Sequence, residues 1–199
     1  MILKHLGDRL VAAVLLLLLL PVFAVIALLI KLDTRGPVLF TQDRVGKDES
    51  VFRICKFRSM IVNAITMGHG VSVLENDFRV TRVGKHLRNW SLDELPQLIN
   101  ILKGEMSFVG PRPTLQYQVD QYTPFQRKRL KMRPGVTGLA QINGRKGIPW
   151  EKRIEYDVDY VENWSLWLDL KIILRTVGVT LWRRKGLHCG DNVKEFDQE

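Results

Sequence analysis

Two adjacent carboxylates, Asp93 and Glu94, stand in the segment Ser91-Leu-Asp-Glu-Leu-Pro-Gln-Leu of a chain that is otherwise strongly basic. Acidic residues favour the first turn of a helix, and Ser91 with Glu94 fits a capping box, so the pair could simply open a helix. Carboxylates also act as nucleophiles and bind divalent cations. The two uses are compatible, because a carboxylate at a helix start stays ionised and nearby arginines lower its pKa further.

Basic residues in rigid segments are the second chemical feature. The chain has 199 residues and a formal net charge of +9, which indicates anionic partners. An arginine next to glycine or proline is preorganised for phosphate, whose oxygens its planar guanidinium matches. Each residue alone could equally be a solvated surface residue. The candidate phosphate-binding residues are Lys56, Arg58, Arg88, Arg112, Arg133 and Arg145.

A denser basic cluster occupies residues 127–133. It is typical of a nucleic-acid or lipid-headgroup patch, but a solvated helix face has the same pattern. The sequence contains no Walker A and no G-x-G-x-x-G motif, so the standard nucleotide loops are absent. The two cysteines lie far apart and the histidines are scattered, which argues against a disulfide framework or a zinc site.

The N-terminal segment has the composition of a membrane element. Residues 10–30 carry no charge and are numerous enough to cross a bilayer as a helix. Pro21 bends such a helix near its middle. Basic residues flank the run on both sides, at Lys4, Arg9, Lys31 and Arg35. Because positive charge favours the cytoplasmic side, we expect a re-entrant helix-break-helix over residues 1–32; a kinked spanning helix and a signal peptide are the alternatives.

The remaining pattern predicts an α+β fold that is mostly helical. Two strand-like runs, residues 38–42 and 51–57, flank a polar turn and predict a short β-hairpin. Helices are predicted over residues 82–90, 93–102, 123–132, 150–163 and 164–185, with a loop or short strands over 135–147. The last helix is apolar with a basic end, which suits an amphipathic interfacial helix or an ordinary core helix. We therefore expect a catalytic domain over residues 33–185 and a mobile tail over 186–199.

Five sequence blocks resemble those of a known family. They are Lys56-Phe-Arg-Ser-Met, Ser91-Leu-Asp-Glu-Leu-Pro-Gln-Leu, Lys103-Gly-Glu-Met-Ser-Phe-Val-Gly-Pro-Arg-Pro, Arg133-Pro-Gly-Val-Thr-Gly and Gln141-Ile-Asn-Gly-Arg. Together they resemble the small monotopic phosphoglycosyl transferases of the bacterial sugar transferase family. The chain departs from the family pattern at Leu20, where a serine usually precedes the proline, and at Leu139, where an aromatic residue is common.

The resemblance implies a specific reaction. Such enzymes move a phospho-sugar from a UDP-sugar to polyprenyl phosphate at the cytoplasmic face of the inner membrane and release UMP. It implies that Asp93 is the nucleophile, that Glu94 and Asp93 hold Mg²⁺, and that Arg88, Arg112 and Arg145 surround the phosphates. Gln141 joins the substrate-binding residues on the same ground. The implied partners are membrane lipids and downstream glycosyltransferases, with no nucleic acid.

Two other functions fit parts of the pattern. A membrane-anchored binding module would use the basic cluster to hold nucleic acid or anionic lipid, and Asp93 would then have no role. A lipid-linked phosphatase would transfer the phosphoryl group to water instead. The residues themselves do not specify the sugar or the glycoconjugate pathway.

Overall fold

A computed structural model describes residues 1–67, 77–144 and 147–182 of the chain. The elements are α1 (Ile2–Asp33), β1 (Leu39–Val45), β2 (Val51–Phe57), α2 (Arg82–Asn89), α3 (Gln97–Lys103), β3 (Ser107–Val109), α4 (Gln116–Asp120), α5 (Pro124–Arg127), β4 (Gly135–Thr137), α6 (Leu139–Ile142), α7 (Trp150–Glu162) and α8 (Leu166–Trp182). Helix predominates over two small sheets, which confirms the expected α+β class. The predicted tail, residues 186–199, lies outside the described residues.

The predicted hairpin is present and is longer than expected on its first strand. β1 and β2 pair antiparallel from Leu39 opposite Phe57 to Val45 opposite Val51. Asn100 of α3, which is fully buried, holds the second strand. Its side-chain carbonyl accepts from the Cys55 N–H at 2.9 Å and its amide donates to the Arg53 carbonyl at 2.7 Å. Asn100 therefore fixes β2 against the helix that follows the acid pair.

Residues 135–147, predicted as a loop or short strands, begin with a strand of a second sheet. β3 and β4 pair parallel, and the short helix α6 follows β4. The pairing of the two strands was not predicted, because each strand has only three residues. The strands approach closely at glycines: a Cβ added to Gly110 would lie 2.3 Å from the Arg133 carbonyl oxygen. No side chain fits at this contact. The segment Pro111–Arg112–Pro113 follows Gly110 directly.

α1 is one continuous helix that passes through Pro21. The predicted break does not interrupt the helix at Pro21. A proline removes one backbone hydrogen bond, and a long helix can accommodate that loss. The helix is long and apolar enough to cross a membrane, and only 11% of its most apolar window is buried. Its two ends both contact the rest of the protein. Lys4 Nζ lies 2.6 Å from Asp169 Oδ2, and Ile30 packs in one cluster with Phe57.

α8 buries one face and exposes another that is also apolar. Asp169 on the buried face accepts hydrogen bonds from Lys4, from the Tyr160 hydroxyl at 2.6 Å and from the Trp164 indole at 3.1 Å. The exposed apolar side chains of α8 are Leu166, Trp167, Leu170, Ile173, Leu174 and Val177. An outward apolar stripe of this kind favours the interfacial interpretation of this helix over that of an ordinary core helix.

Candidate active site

The acid pair lies on a 3₁₀ turn, Leu92–Glu94, and not at the start of a helix. Ser91 before it has a left-handed backbone with φ of 55°, and its hydroxyl caps no N–H of the turn. α3 begins only at Gln97, after Pro96. The predicted capping box and the predicted helix start at Asp93 are therefore wrong, because the left-handed Ser91 leads into a 3₁₀ turn before the helix begins. The turn presents both carboxylates beside the helix instead of within it.

The buried face of α3 contains polar as well as apolar side chains. Leu98 and Ile101 are buried, whereas Leu102 is 43% exposed. With a helix that starts four residues later than expected, the polar side chains of Gln97 and Asn100 take part in the buried face. An apolar 3.6-residue period alone could not identify these two buried amides.

Glu94 is the ion-pair centre of the site. Its Oε1 accepts from Lys56 Nζ at 3.0 Å and from Arg112 Nη2 at 2.7 Å. The side chain of Glu94 is only 17% exposed. Although burial alone would raise the pKa of Glu94, the charges of Arg112 and Lys56 hold it well below its usual range. Glu94 is therefore ionised at any physiological pH.

Asp93 has the opposite behaviour. Burial and the neighbouring charge of Glu94 raise the pKa of Asp93, and the cations Lys56, Arg88 and Arg112 offset part of this rise. The nearby arginines do lower the pKa of Asp93, as predicted, but the net shift is upward because desolvation is the larger effect. Two adjacent carboxylates thus have pKa values that the site moves apart, and Asp93 is the one that takes a proton first as the pH falls.

The cations around the pair come from three separate elements. Lys56 extends from β2, Arg88 from the last turn of α2, and Arg112 from the segment between two prolines after β3. Burial lowers the pKa of Lys56, and Glu94 opposes that change. The structure thus brings together Asp93, Glu94 and three of the predicted phosphate-binding residues. We call this set, Lys56, Arg88, Asp93, Glu94 and Arg112, the dyad cluster.

A buried ion pair supports Arg112 from behind. Arg129 Nη2 donates to the backbone carbonyl of Arg112 at 2.8 Å and also bonds to Asp157. Arg129 Nη1 donates to the Tyr122 hydroxyl at 2.5 Å. Arg129 and Asp157 are both almost fully buried. Arg129 was predicted as part of an exposed basic patch, so for this residue the nucleic-acid or headgroup interpretation is wrong.

Arg58 contacts the C-terminal end of α1 and not the dyad cluster. Its guanidinium donates to the carbonyls of Arg35 and Thr34, both at 2.8 Å, and to the Thr34 hydroxyl at 2.9 Å. These groups lie at the C-terminus of α1, where helix carbonyls need donors. The side chain is buried. Arg58 therefore caps a helix, and the prediction that it binds phosphate is not supported by its position.

Of the other predicted substrate residues, Arg133 and Gln141 make no side-chain hydrogen bond or ion pair with the dyad cluster in the described part of the chain. The charges that act on Arg133 are those of Arg9 and Asp8 on α1. Gln141 is buried on α6, beside Gly138, and neither of its amide atoms has a hydrogen-bond partner among the described residues. Arg145 lies outside the described residues. Among the described members of this group, Lys56, Arg88 and Arg112 are those whose charges act on the acid pair.

Arg44 is a neighbour of the site that the sequence did not suggest. It lies on β1, and the charges acting on it include those of Arg112 and Glu94. Strand alternation places residues 40, 42 and 44 on one face, but only the pairing with β2 shows that this is the face of Lys56. The register of the hairpin was the missing information.

The two carboxylates of the dyad cluster could hold Mg²⁺ only together with ligands from outside the protein. Within the described ranges there is no group of three or more potential metal-ligating side chains. Mg²⁺ commonly uses one or two carboxylates and completes its shell with substrate phosphates and water. Both ion pairs of Glu94 use Oε1, so Oε2 has no hydrogen bond to any residue that the structure describes. Glu94 Oε2 and Asp93 are thus suited to a metal that arrives with phosphates.

The described residues thus place an acid pair within a surplus of cations, and α1 and α8 carry outward apolar side chains. The chain belongs to the bacterial sugar transferase family, whose model matches residues 1–183. This confirms the resemblance that the five sequence blocks indicated.

Three relatives of this chain are named as undecaprenyl-phosphate sugar-phosphate transferases. The chain is 47% identical to a UDP-glucose:undecaprenyl-phosphate glucose-1-phosphate transferase of Klebsiella pneumoniae, over 89% of this chain and 40% of the relative. It is 45% identical to a transferase of the same name from Caulobacter vibrioides, over 87% and 68%. It is also 45% identical to a UDP-N-acetylgalactosamine-undecaprenyl-phosphate N-acetylgalactosaminephosphotransferase of Aeromonas hydrophila, over 87% and 42%. The chain thus spans about two fifths of the length of the first of these relatives.

Proposed function

We propose that this chain transfers a sugar phosphate from a UDP-sugar to polyprenyl phosphate and releases UMP. The observation that carries the proposal is the charge balance of the dyad cluster, in which three cations surround two partly buried carboxylates. Phosphoryl transfer depends mainly on positioning and on neutralising phosphate charge. The names of the three relatives support the substrate classes, and their different sugars leave the sugar of this chain open.

The proposed first step uses Asp93 as the nucleophile. A carboxylate oxygen of Asp93 attacks the β-phosphorus of the UDP-sugar, and the bond from that phosphorus to the bridging oxygen breaks, so that UMP leaves. The sugar phosphate is then bound to Asp93 as an acyl phosphate. Arg88 and Arg112 bind the phosphate oxygens, and Lys56 keeps Glu94 in place by its ion pair.

The second step restores the carboxylate. An oxygen of polyprenyl phosphate attacks the same phosphorus, the bond to Asp93 breaks, and the product carries sugar, two phosphates and the polyprenyl chain. Glu94, with Asp93, would hold Mg²⁺, which supplies positive charge to the phosphate oxygens. A raised pKa suits Asp93 in this role, because the carboxylate is desolvated before the substrate binds.

The lipid substrate requires a membrane position for the site. We propose that α1, as one continuous helix bent at Pro21, dips into the inner membrane from the cytoplasmic face and keeps both ends at that face, so that the protein is monotopic. The contacts of Lys4 with Asp169 and of Ile30 with Phe57 support this, because they keep both ends of α1 against the same folded body. The outward apolar faces of α1 and α8 would contact lipid.

The proposed reaction is tested with the purified full chain in detergent or nanodiscs. Given UDP-sugars, Mg²⁺ and polyprenyl phosphate, the protein should release UMP and form a lipid-linked sugar diphosphate. Asp93→Asn should reduce UMP release at least about 10³-fold, as expected for loss of a nucleophile. Asp43→Asn is the matched control, since Asp43 is 67% exposed on the hairpin surface.

The outcomes separate the proposed transferase from its alternatives. Free sugar phosphate with no lipid product would identify a hydrolase. Salt-sensitive binding of nucleic acid without UMP release would identify a binding module. Full activity of Asp93→Asn would reject Asp93 as the nucleophile.

The proposed topology is tested by reporter tags at the two ends of α1. Both tags should report the cytoplasmic side. A periplasmic N-terminal tag would reject the re-entrant arrangement in favour of a helix that crosses the membrane.

A further inference from the structure

Arg44 lies on the hairpin face that is directed at the dyad cluster. In an antiparallel pair, directly opposed residues project to the same face, and successive residues alternate between faces. Arg44 is opposite Phe52, and Lys56 is opposite Phe40 on the same set of alternating positions. Lys56 shows that this face of the hairpin is directed at the dyad cluster, because its Nζ donates to Glu94 Oε1 at 3.0 Å. Arg44 and Lys56 therefore extend from one surface of the hairpin.

The end of β1 is attached to the segment that carries Arg112. The Val45 N–H donates to the Thr114 carbonyl at 2.9 Å. Val45 and Gly46 also line one small cavity together with Arg112 and Pro113. Burial and the neighbouring charge of Arg112 lower the pKa of Arg44 to about 10. The two guanidinium groups are thus held near each other by backbone contacts.

The donors of this arginine pair are incompletely used. Arg44 Nη2 donates to Gln42 Oε1 at 2.6 Å, whereas the buried Arg44 Nε has no hydrogen-bond partner among the described residues. Arg44 has no ion pair with any carboxylate in the described part of the chain. Arg112 bonds to Glu94 through Nη2, and 51% of its side chain is exposed. Two neighbouring arginines with unused donors are stabilised by an anion that both can bind.

We propose that Arg44 and Arg112 form a second phosphate-binding subsite, beside the phosphate position at Asp93. The identification of its ligand as a phosphate of a substrate rests on the proposed function. A UDP-sugar has two phosphates, and polyprenyl phosphate adds another in the second step. Because Arg112 contacts Glu94 on one side and neighbours Arg44 on the other, it would bridge the two phosphate positions.

Binding and kinetics of three variants test the subsite. Arg44→Gln should weaken the binding of UDP by about 10- to 100-fold, as for loss of a hydrogen bond to a charged group, and leave the affinity for uridine unchanged. Arg44→Lys should recover part of the affinity, since it keeps the charge but not the planar fork. Arg53→Gln is the control, because Arg53 lies on the other face of the same hairpin with 78% of its side chain exposed.

The KM values of the two substrates identify which phosphate binds. An increase for the UDP-sugar assigns the subsite to the donor, and an increase for polyprenyl phosphate assigns it to the acceptor. Unchanged UDP affinity together with unchanged KM values in Arg44→Gln would overturn the proposal. Unchanged uridine affinity reports that the variant is folded, and a variant that loses uridine and UDP binding equally would also contradict a phosphate-specific role.

Failure of the subsite and failure of the proposed reaction give different results. If the wild-type chain releases UMP and Arg44→Gln behaves as Arg53→Gln does, the subsite alone is rejected. If the wild-type chain binds UDP in an Arg44-dependent manner but forms no lipid product, the reaction is rejected and the anion site stands.

Discussion

Two clusters of opposite charges lie on either side of Arg112, and they differ in balance and in access. In the buried pair, Arg129 and Asp157 match one cation with one anion, and both side chains are at most 3% exposed. In the dyad cluster, two carboxylates face three cations, with Arg44 as a fourth nearby. Arg112 belongs to the dyad cluster through its side chain, which is 51% exposed, and to the buried pair through its backbone carbonyl.

This difference separates a structural ion pair from a binding site. A buried arginine that already has a carboxylate, a hydroxyl and a carbonyl partner has few donors for a ligand. A cluster with surplus cations and an accessible arginine still requires an anion. Composition shows many basic residues in this chain. Only the balance of local charge distinguishes those already paired within the fold from those able to bind an anionic ligand.

The largest effect is expected when the buried pair is broken. Asp157→Asn leaves the buried Arg129 without its counter-charge, so the free energy of unfolding should fall by about 3–5 kcal/mol. Denaturant unfolding of the detergent-solubilised protein measures this. The control Asp43→Asn breaks an exposed pair with Arg53 and should change stability by less than about 1 kcal/mol. Similar losses in the two variants would contradict the distinction between the clusters.

A smaller loss is expected at Arg58. Arg58→Gln removes donors from the carbonyls of Thr34 and Arg35 at the end of α1, which should cost about 1–3 kcal/mol of stability. Because these contacts are structural, the KM for the UDP-sugar should remain within about twofold. Steady-state kinetics at a temperature where the variant is folded check this. A selective increase in KM would return Arg58 to the phosphate-binding residues.

The smallest expected effects are shifts in pH dependence. Transfer needs ionised Asp93, so activity should fall as the pH drops through the raised pKa of Asp93. Glu94→Gln removes a negative charge that raises this pKa, so the acid limb of kcat/KM should move to lower pH, even where the rate itself is reduced. Arg88→Gln removes a positive charge that lowers it, so the limb should move to higher pH. Shifts in the same direction would contradict the arrangement of charges around Asp93.

Elements with strong periodic patterns were predictable from the sequence. The helix predicted over residues 82–90 is α2 (Arg82–Asn89), and the one predicted over 150–163 is α7 (Trp150–Glu162). The helix predicted over 123–132 divides into α5 and a 3₁₀ turn, Lys128–Lys131. Strand β3 and its parallel pairing with β4 were not predicted, because so short a sheet is stabilised by distant glycine contacts and not by a local pattern.

The chemistry of the candidate site was predictable from the sequence, but the full set of residues that form the site was not. Asp93, Glu94, Arg88 and Arg112 were predicted from local motifs, and the structure brings them together with Lys56. Arg58 has the same local context as Lys56 but lies two positions further on, where β2 has ended and the C-terminus of α1 is within reach. Arg44 had no local signal at all. Only long-range pairing distinguishes these residues, and one sequence does not contain that information.

The central claim is that Asp93 carries the sugar phosphate between the two substrates. The direct measurement is intact-protein mass spectrometry after the full chain is incubated with a UDP-sugar and Mg²⁺ but without polyprenyl phosphate. The claim predicts a mass increase of one sugar phosphate, located on the peptide that contains Asp93, which disappears when polyprenyl phosphate is added and is absent in Asp93→Asn. Lipid product formed by the wild-type chain with no such adduct at any time, or an adduct that persists in Asp93→Asn, would contradict it.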